Sequence, residues 1–255
     1  MTWALRTELD LEQANVHLER LEDAGLLGLV EEDGRVTAYF PDRVDGLPLE
    51  GRWESIEERD WNSAWKAGIA PVTVGRITIT PSWIEVPGAL VIEPAQAFGT
   101  GHHETTTGCL AALQSIDLTA AHVVDVGTGT GILALAARRL GAPYVLGVDV
   151  DELAVMTARA NALANGLEID VRTGSADAVH GLFDVVVANL DTPTVTVLAP
   201  DLARLLAPEG DLIVSGVSIE RADEAAHALG SSGLEVTVTP GREWAVLLGR
   251  HRVHR

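Results

Sequence analysis

The chain has 255 residues, 47% of them apolar, enough for one large or two modest domains with a real core. Its apolar runs are too short to span a bilayer, and a single cysteine, Cys109, excludes an intrachain disulfide. Acidic residues outnumber basic ones 37 to 18 for a formal charge of -19, a surface that repels nucleic-acid phosphates and offers them no basic stripe.

That charge should attract cationic partners, lysine-rich protein segments among them, although solubility alone also accounts for it. It favours a monomer. Residues 1–10 carry no charged-then-apolar leader, which, with one cysteine, predicts a cytoplasmic protein with no membrane association.

The first elements read as a small α+β unit. Trp3 to Glu8 suits a strand, and Asp10 with Gln13 three residues later forms a capping box. Leu11, Ala14, Leu18 and Leu21 then share a helical face that ends at Gly25. Leu26–Val30 and Arg35–Phe40 flank an Asp33-Gly34 turn, a hairpin signal. Residues 41–51, rich in proline, glycine and aspartate, read as a loop. Asp60 to Lys66 reads as a short helix whose Trp61 and Trp65 share one face, more suited to core or interdomain packing than to a binding cage. Val72–Val74 and Ile77–Ile79 suit two short strands turning at Gly75-Arg76. The expected division is a substrate-recognition domain over 1–55, a linker helix over 56–70 and a catalytic domain over 71–255.

From His122 onward strands alternate with helices. The predicted strands are Val123–Val126, Tyr144–Val148, Ile169–Arg172, Phe183–Ala188 and Asp211–Ser215, and the predicted helices are Ile132–Leu140, Glu152–Asn165, Pro200–Leu206 and Ile219–Leu229. In the second of these helices Leu153, Met156, Ala160 and Leu163 are expected on the inner side. Two final strands, Leu234–Thr239 and Glu243–Leu248, meet at Pro240-Gly241. The fold class is therefore α/β: a mostly parallel, Rossmann-like sheet covered on both faces with a C-terminal antiparallel strand, preceded by the small α+β domain.

Asp125 to Gly131 reads Asp-Val-Gly-Thr-Gly-Thr-Gly, following a strand and opening a helix. A dinucleotide fingerprint would need a small residue three positions after Gly129, where Ile132 stands, and there is no lysine for a triphosphate loop. Asp149, at the end of the next strand, can accept both ribose hydroxyls of a nucleoside, while Asp151 is better placed to cap the following helix. Asp177 could accept from an adenine amino group or be a solvated loop residue. A sulfonium cofactor suits this set. It has no pyrophosphate, its amino-acid end can bind the loop, and its positive sulfur tolerates an acidic site.

The run Glu93 to Thr106, which contains Phe98-Gly99-Thr100-Gly101-His102-His103-Glu104-Thr105-Thr106, resembles the distinctive segment of the ribosomal protein L11 methyltransferases, the PrmA family. The resemblance extends to Asp125–Gly131, Asp149 and Ala188-Asn189-Leu190, and to the tryptophan stretch and N-terminal unit. The family usually has Gly-Met where this chain has Ala95-Gln96. The resemblance implies a class I S-adenosylmethionine-dependent protein N-methyltransferase acting on amines of L11. It implies that Thr106, Gly127, Asp149 and Asn189 contact the cofactor, with Phe98 and Thr100 covering it. Thr128 and Gly129 belong to the same binding loop. His102, His103 and Glu104 lack the four-residue spacing of a helical zinc motif, so no metal is expected.

Asn189 follows an apolar strand at its carboxyl end, where ligands of parallel sheets bind. Its amide could accept a hydrogen from the acceptor amine, as could the backbone carbonyl of Leu190; these two are the catalytic candidates. Asp191 is a further place where acceptor specificity could differ. Two other functions use the same residues: a small-molecule methyltransferase with the N-terminal unit as a lid, and a non-catalytic cofactor-binding scaffold.

Overall fold

The computed structural model describes residues 2–9, 13–14, 17, 20–21, 24–32, 34–56, 70–93 and 103–252. The chain forms two compact units, Met1–Ile69 and Ala70–Arg255.

The first unit is built on a four-stranded antiparallel sheet of order β2-β3-β1-β4, with β1 Thr2–Thr7, β2 Gly28–Glu32, β3 Arg35–Phe40 and β4 Gly51–Ile56. The hairpin β2–β3 turns at Gly34, whose φ of 73° suits glycine. Ala14 and Leu21 are fully buried, and Leu5, Leu21, Ala38, Phe40 and Leu49 form the core. The rest of the helix expected after Asp10, and the whole of that expected over Asp60–Lys66, lie outside the described residues. Strand β4 is absent from the sequence reading. It is an edge strand in which Trp53 alternates with Arg52 and Glu54, so it lacks an apolar run to announce it. Trp53 packs on Phe40 with ring centroids 5.5 Å apart, and Arg6 Nε donates to Glu54 Oε2 across the β1–β4 pair at 2.8 Å.

The second unit opens with a three-stranded sheet, β5 Val72–Val74, β6 Ile77–Thr80 and β7 Leu90–Val91. Its centre is a seven-stranded sheet of β8 His122–Val126, β9 Tyr144–Asp149, β10 Asp170–Thr173, β11 Phe183–Asn189, β12 Leu206–Ser218, β13 Leu234–Pro240 and β14 Trp244–His251, in the order β10-β9-β8-β11-β12-β14-β13. The first five are parallel and β14 runs antiparallel to both neighbours. This is the sheet the alternation predicts. Successive residues of β8 and β11 face opposite cores. Val124, Val126, Val186 and Ala188 join the helices Thr192–Leu205 and Ala222–Ser231, while Val123, Val185 and Val187 join Glu104–Leu113 and Ile132–Arg139.

Three expectations need correction. In the Glu152–Asn165 helix, Leu153, Met156 and Leu163 are 56%, 65% and 84% exposed, and Ala160 is exposed too. The buried face is Ala154, Val155, Ala158, Asn161 and Ala162. Small residues win that face because the helix runs close to the glycine loop: a Cβ on Gly131 would lie 3.0 Å from that of Ala158. The helix expected over Pro200–Leu206 begins at Thr192, with Asp191 as its cap, and carries Pro200 on its exposed side. The helix expected from Ile219 opens as a 3-10 turn over Ile219–Arg221, and its α-helical part is Ala222–Ser231.

Candidate active site

Strand β8 delivers the chain into the glycine loop at the carboxyl edge of the sheet, beside the switch point between β8 and β11. The amides of Gly127 and Thr128 both donate to the Val148 carbonyl, at 2.9 and 3.0 Å. Gly127 sits at φ 74°, and a Cβ there would come within 2.4 Å of Leu190 Cδ2, so only glycine lets Leu190 pack against the loop. Asp125 is buried beneath. Its Oδ2 accepts from Thr128 Oγ1 at 2.7 Å and from the Ala134 amide at 3.2 Å, while Oδ1 has no hydrogen-bond partner among the described residues. Burial raises the Asp125 carboxyl to about 6, against the lowering effect of those two bonds. Thr128 thus turns its hydroxyl into the protein.

Asp149 ends β9 in line with this loop. Its Oδ2 accepts the Gly129 amide at 2.9 Å and its Oδ1 the Asp151 amide at 3.0 Å. Each carboxylate oxygen retains a second lone pair, so the half-buried side chain can still accept from a ribose diol. Asp151 takes the helix cap by accepting from the Leu153 amide at 2.9 Å. Asp177 stands exposed in the 3-10 turn Ala176–Ala178 that follows β10.

On the other side of the switch point, Asn189 closes β11 and is half-buried. Its Nδ2 donates to Thr106 Oγ1 at 3.4 Å. Thr106 lies buried in the first turn of the Glu104–Leu113 helix, which His103 caps by accepting the Thr105 amide on Nδ1. The amide of Leu190 donates to the Ser215 carbonyl at 3.0 Å. Gly216, at φ 83°, backs this contact, since a Cβ there would lie 2.4 Å from the Leu190 carbonyl oxygen.

The helix start is tied down by a clasp. The Glu104 carboxylate accepts the amides of Arg242 and Glu243 in the β13–β14 turn, and those bonds, the Arg242 one first, hold its carboxyl below the usual range. The His103 ring meets Trp244 edge-on at 5.1 Å.

The structure therefore brings together Gly129 with Asp149, Gly127 with Leu190, and Thr106 with Asn189. Phe98, Thr100 and His102 lie outside the described residues. Asp191 caps its helix by accepting the Thr194 amide at 2.9 Å, and hydrogen bonding by Thr194 lowers its carboxyl, which gives it a structural task. Sequence reasoning missed Gly216, Glu104 as a clasp, and Trp244. A glycine inside the apolar strand Leu212–Val217 is the one advance signal for any of them.

A seven-stranded sheet with a reversed last strand, a glycine loop without phosphate-binding lysine and an acid ending the second strand define a class I S-adenosylmethionine-dependent methyltransferase. A family model described as ribosomal protein L11 methyltransferase (PrmA) matches residues 7–252. The ribosomal protein L11 methyltransferase of Deinococcus radiodurans is 38% identical over 272 residues, covering 98% of each chain. That of Thermus thermophilus is 39% identical over 251 residues, covering 96% of this chain and 98% of its own. The solved ribosomal protein L11 methylase of Lactobacillus delbrueckii subsp. bulgaricus superposes with a TM-score of 0.68 at 28% identity, covering 72% of this chain and all of that one. The chain belongs to the ribosomal protein L11 methyltransferase (PrmA) family.

Proposed function

We propose that this enzyme methylates amines of ribosomal protein L11, lysine side chains first and the N-terminal amine as a further acceptor. The family match over residues 7–252, together with relatives of nearly equal length that carry that name, supports the substrate. The convergence of the glycine loop, Asp149 and Asn189 on one sheet edge is the observation that carries the reading.

S-adenosylmethionine supplies the electrophilic methyl group. In this reading Asp149 holds the ribose, while Gly127, Thr128 and Gly129 shape the loop that receives the amino-acid end. Thr106 and Asn189 would contact the cofactor, and by the family resemblance Phe98 and Thr100 would cover it. Because Asn189 Nδ2 is directed at Thr106, its Oδ1 is left to accept a hydrogen from the incoming amine. The Leu190 carbonyl would supply a second acceptor, so the two would orient the amine lone pair towards the methyl group. A lysine amine, with an ordinary pKa of about 10.4, must arrive neutral. Neither Asn189 nor Leu190 is a base, so they position the amine and do not deprotonate it.

Residues 1–55 present the protein substrate and 56–70 link them to the catalytic part. The -19 charge suits a basic substrate and a monomer that binds no nucleic acid. Among the described residues no helix is long and apolar enough to cross a membrane; we place the enzyme in the cytoplasm. The experiment is radiolabelled methyl transfer offered purified L11 or a metabolite extract. Label in L11 supports the reading. Label confined to metabolites would return the N-terminal unit to the role of a lid.

A further inference from the structure

We infer that Asn161 is a positioning residue for the cofactor site, holding the far side of the glycine loop in place from the neighbouring helix. Asn161 lies on the inner face of the Glu152–Asn165 helix and is only 3% exposed, yet both ends of its amide are engaged with backbone. Its Nδ2 donates to the Thr130 carbonyl at 2.9 Å, and its Oδ1 accepts the Glu93 amide at 3.1 Å. One buried side chain thus joins the glycine loop to the first residue of the Glu93–Thr106 stretch.

The loop is held elsewhere by Asp125 through Thr128, and by Asp149 through Gly129. The Val148 carbonyl holds its start through the Gly127 and Thr128 amides, and Thr130 is a further fixed point towards its end. Removing the Asn161 amide takes this donor from the Thr130 carbonyl and this acceptor from the Glu93 amide, and the loss of a buried hydrogen-bond partner loosens the loop.

One turn further along, Asn165 provides an internal comparison. Its Oδ1 accepts the Val91 amide at 2.8 Å and its Nδ2 donates to the Val91 and Asn161 carbonyls at 2.6 and 2.7 Å. It resembles Asn161 in chemistry, helix face and attachment to the β7 region, but it makes no bond to the glycine loop. A purely structural role for Asn161 would make the two residues behave alike.

The inference rests on the glycine loop and Asp149 holding S-adenosylmethionine, and the experiment separates the two claims. Binding of S-adenosylmethionine to the full-length chain is measured by calorimetry for Asn161→Ala, Asn161→Ser, Asn165→Ala and Asp149→Ala, with melting temperatures alongside. The serine variant, smaller in its disturbance, keeps the comparison available if the alanine variant folds poorly. Asn161→Ala and Asn161→Ser should weaken binding about tenfold, raising KM for the cofactor with kcat changed less than about twofold. Asn165→Ala should lower the melting temperature yet bind within about twofold of the parent chain. The inference is overturned if both Asn161 variants bind like the parent, or if Asn165→Ala weakens binding as much as they do. Unchanged binding by Asp149→Ala would instead remove the loop reading beneath it.

Discussion

The Asp149 carboxylate and the Gly129 backbone are hydrogen-bonded across the space between the ends of β9 and β8, with Oδ2 accepting the amide at 2.9 Å. This bond sets the second glycine of the loop against the side chain read as the ribose acceptor. Asp149→Ala removes the loop bond and the ribose contact together. Hydrogen bonds to a charged acceptor contribute about 1.5–3 kcal/mol, so affinity for S-adenosylmethionine should fall roughly 10- to 100-fold by calorimetry. Asp149→Asn keeps one acceptor oxygen and should fall between. Parent-like affinity in the alanine variant would remove Asp149 from the site.

Gly216 is the residue whose importance is least apparent from its chemistry. At φ 83° and with a would-be Cβ 2.4 Å from the Leu190 carbonyl, Gly216→Ala has no unstrained conformation. It should lose about 1–3 kcal/mol of stability in urea denaturation. Displacement of Leu190 should also reduce kcat more than it raises KM for the cofactor. A variant with parent kcat would show that the Leu190 carbonyl is not needed.

Asp125 makes stability depend on pH with a definite sign. Its folded carboxyl lies at about 6, above the unfolded value near 3.9, so between these pH values the folded chain holds the extra proton. The favourable contribution is complete below the unfolded value and is lost as pH rises through about 6. At ~1.4 kcal/mol per pH unit this amounts to on the order of 3 kcal/mol. Asp125→Asn, which can still accept from Thr128 and Ala134, removes the titration. The parent chain should therefore lose stability relative to this variant between pH 4 and pH 7, followed by denaturation midpoints across that range. Parallel curves would contradict the assignment.

The two compact units should also separate by function. Removing residues 1–69 should leave cofactor affinity within about twofold while abolishing methylation of intact L11. Full methylation by the shortened chain would assign substrate recognition to the catalytic unit.

The sheet was legible because Val123–Val126, Tyr144–Val148 and Phe183–Ala188 are largely apolar runs alternating with helices, a pattern that admits few topologies. The placement of Gly127, Asp149 and Asn189 at the carboxyl edge of the sheet was legible because each stands at a strand end or just after one. The inner face of the Glu152–Asn165 helix was not, because side-chain size pointed outward. Leu153, Met156 and Leu163 are the larger residues, but the closeness of Gly131 to Ala158 favours the small ones inside. Strand β4 lacked an apolar run, and Pro193 and Pro200 concealed a helix that tolerates one in its first turn and one on its exposed side. The Glu104 clasp spans 138 residues of sequence to Arg242, a contact no local pattern can reveal.

Intact-mass spectrometry of L11, incubated with S-adenosylmethionine and either the parent chain or Asn189→Ala, shows whether the enzyme methylates L11 amines with Asn189 positioning them. With the parent chain, L11 should gain mass in whole methyl increments that fragmentation places on amines. With Asn189→Ala the gain should slow at least about 100-fold while cofactor binding falls far less. An L11 mass unchanged by the parent chain would exclude L11 as the substrate, and an undiminished gain with Asn189→Ala would exclude Asn189 as the residue that positions the amine.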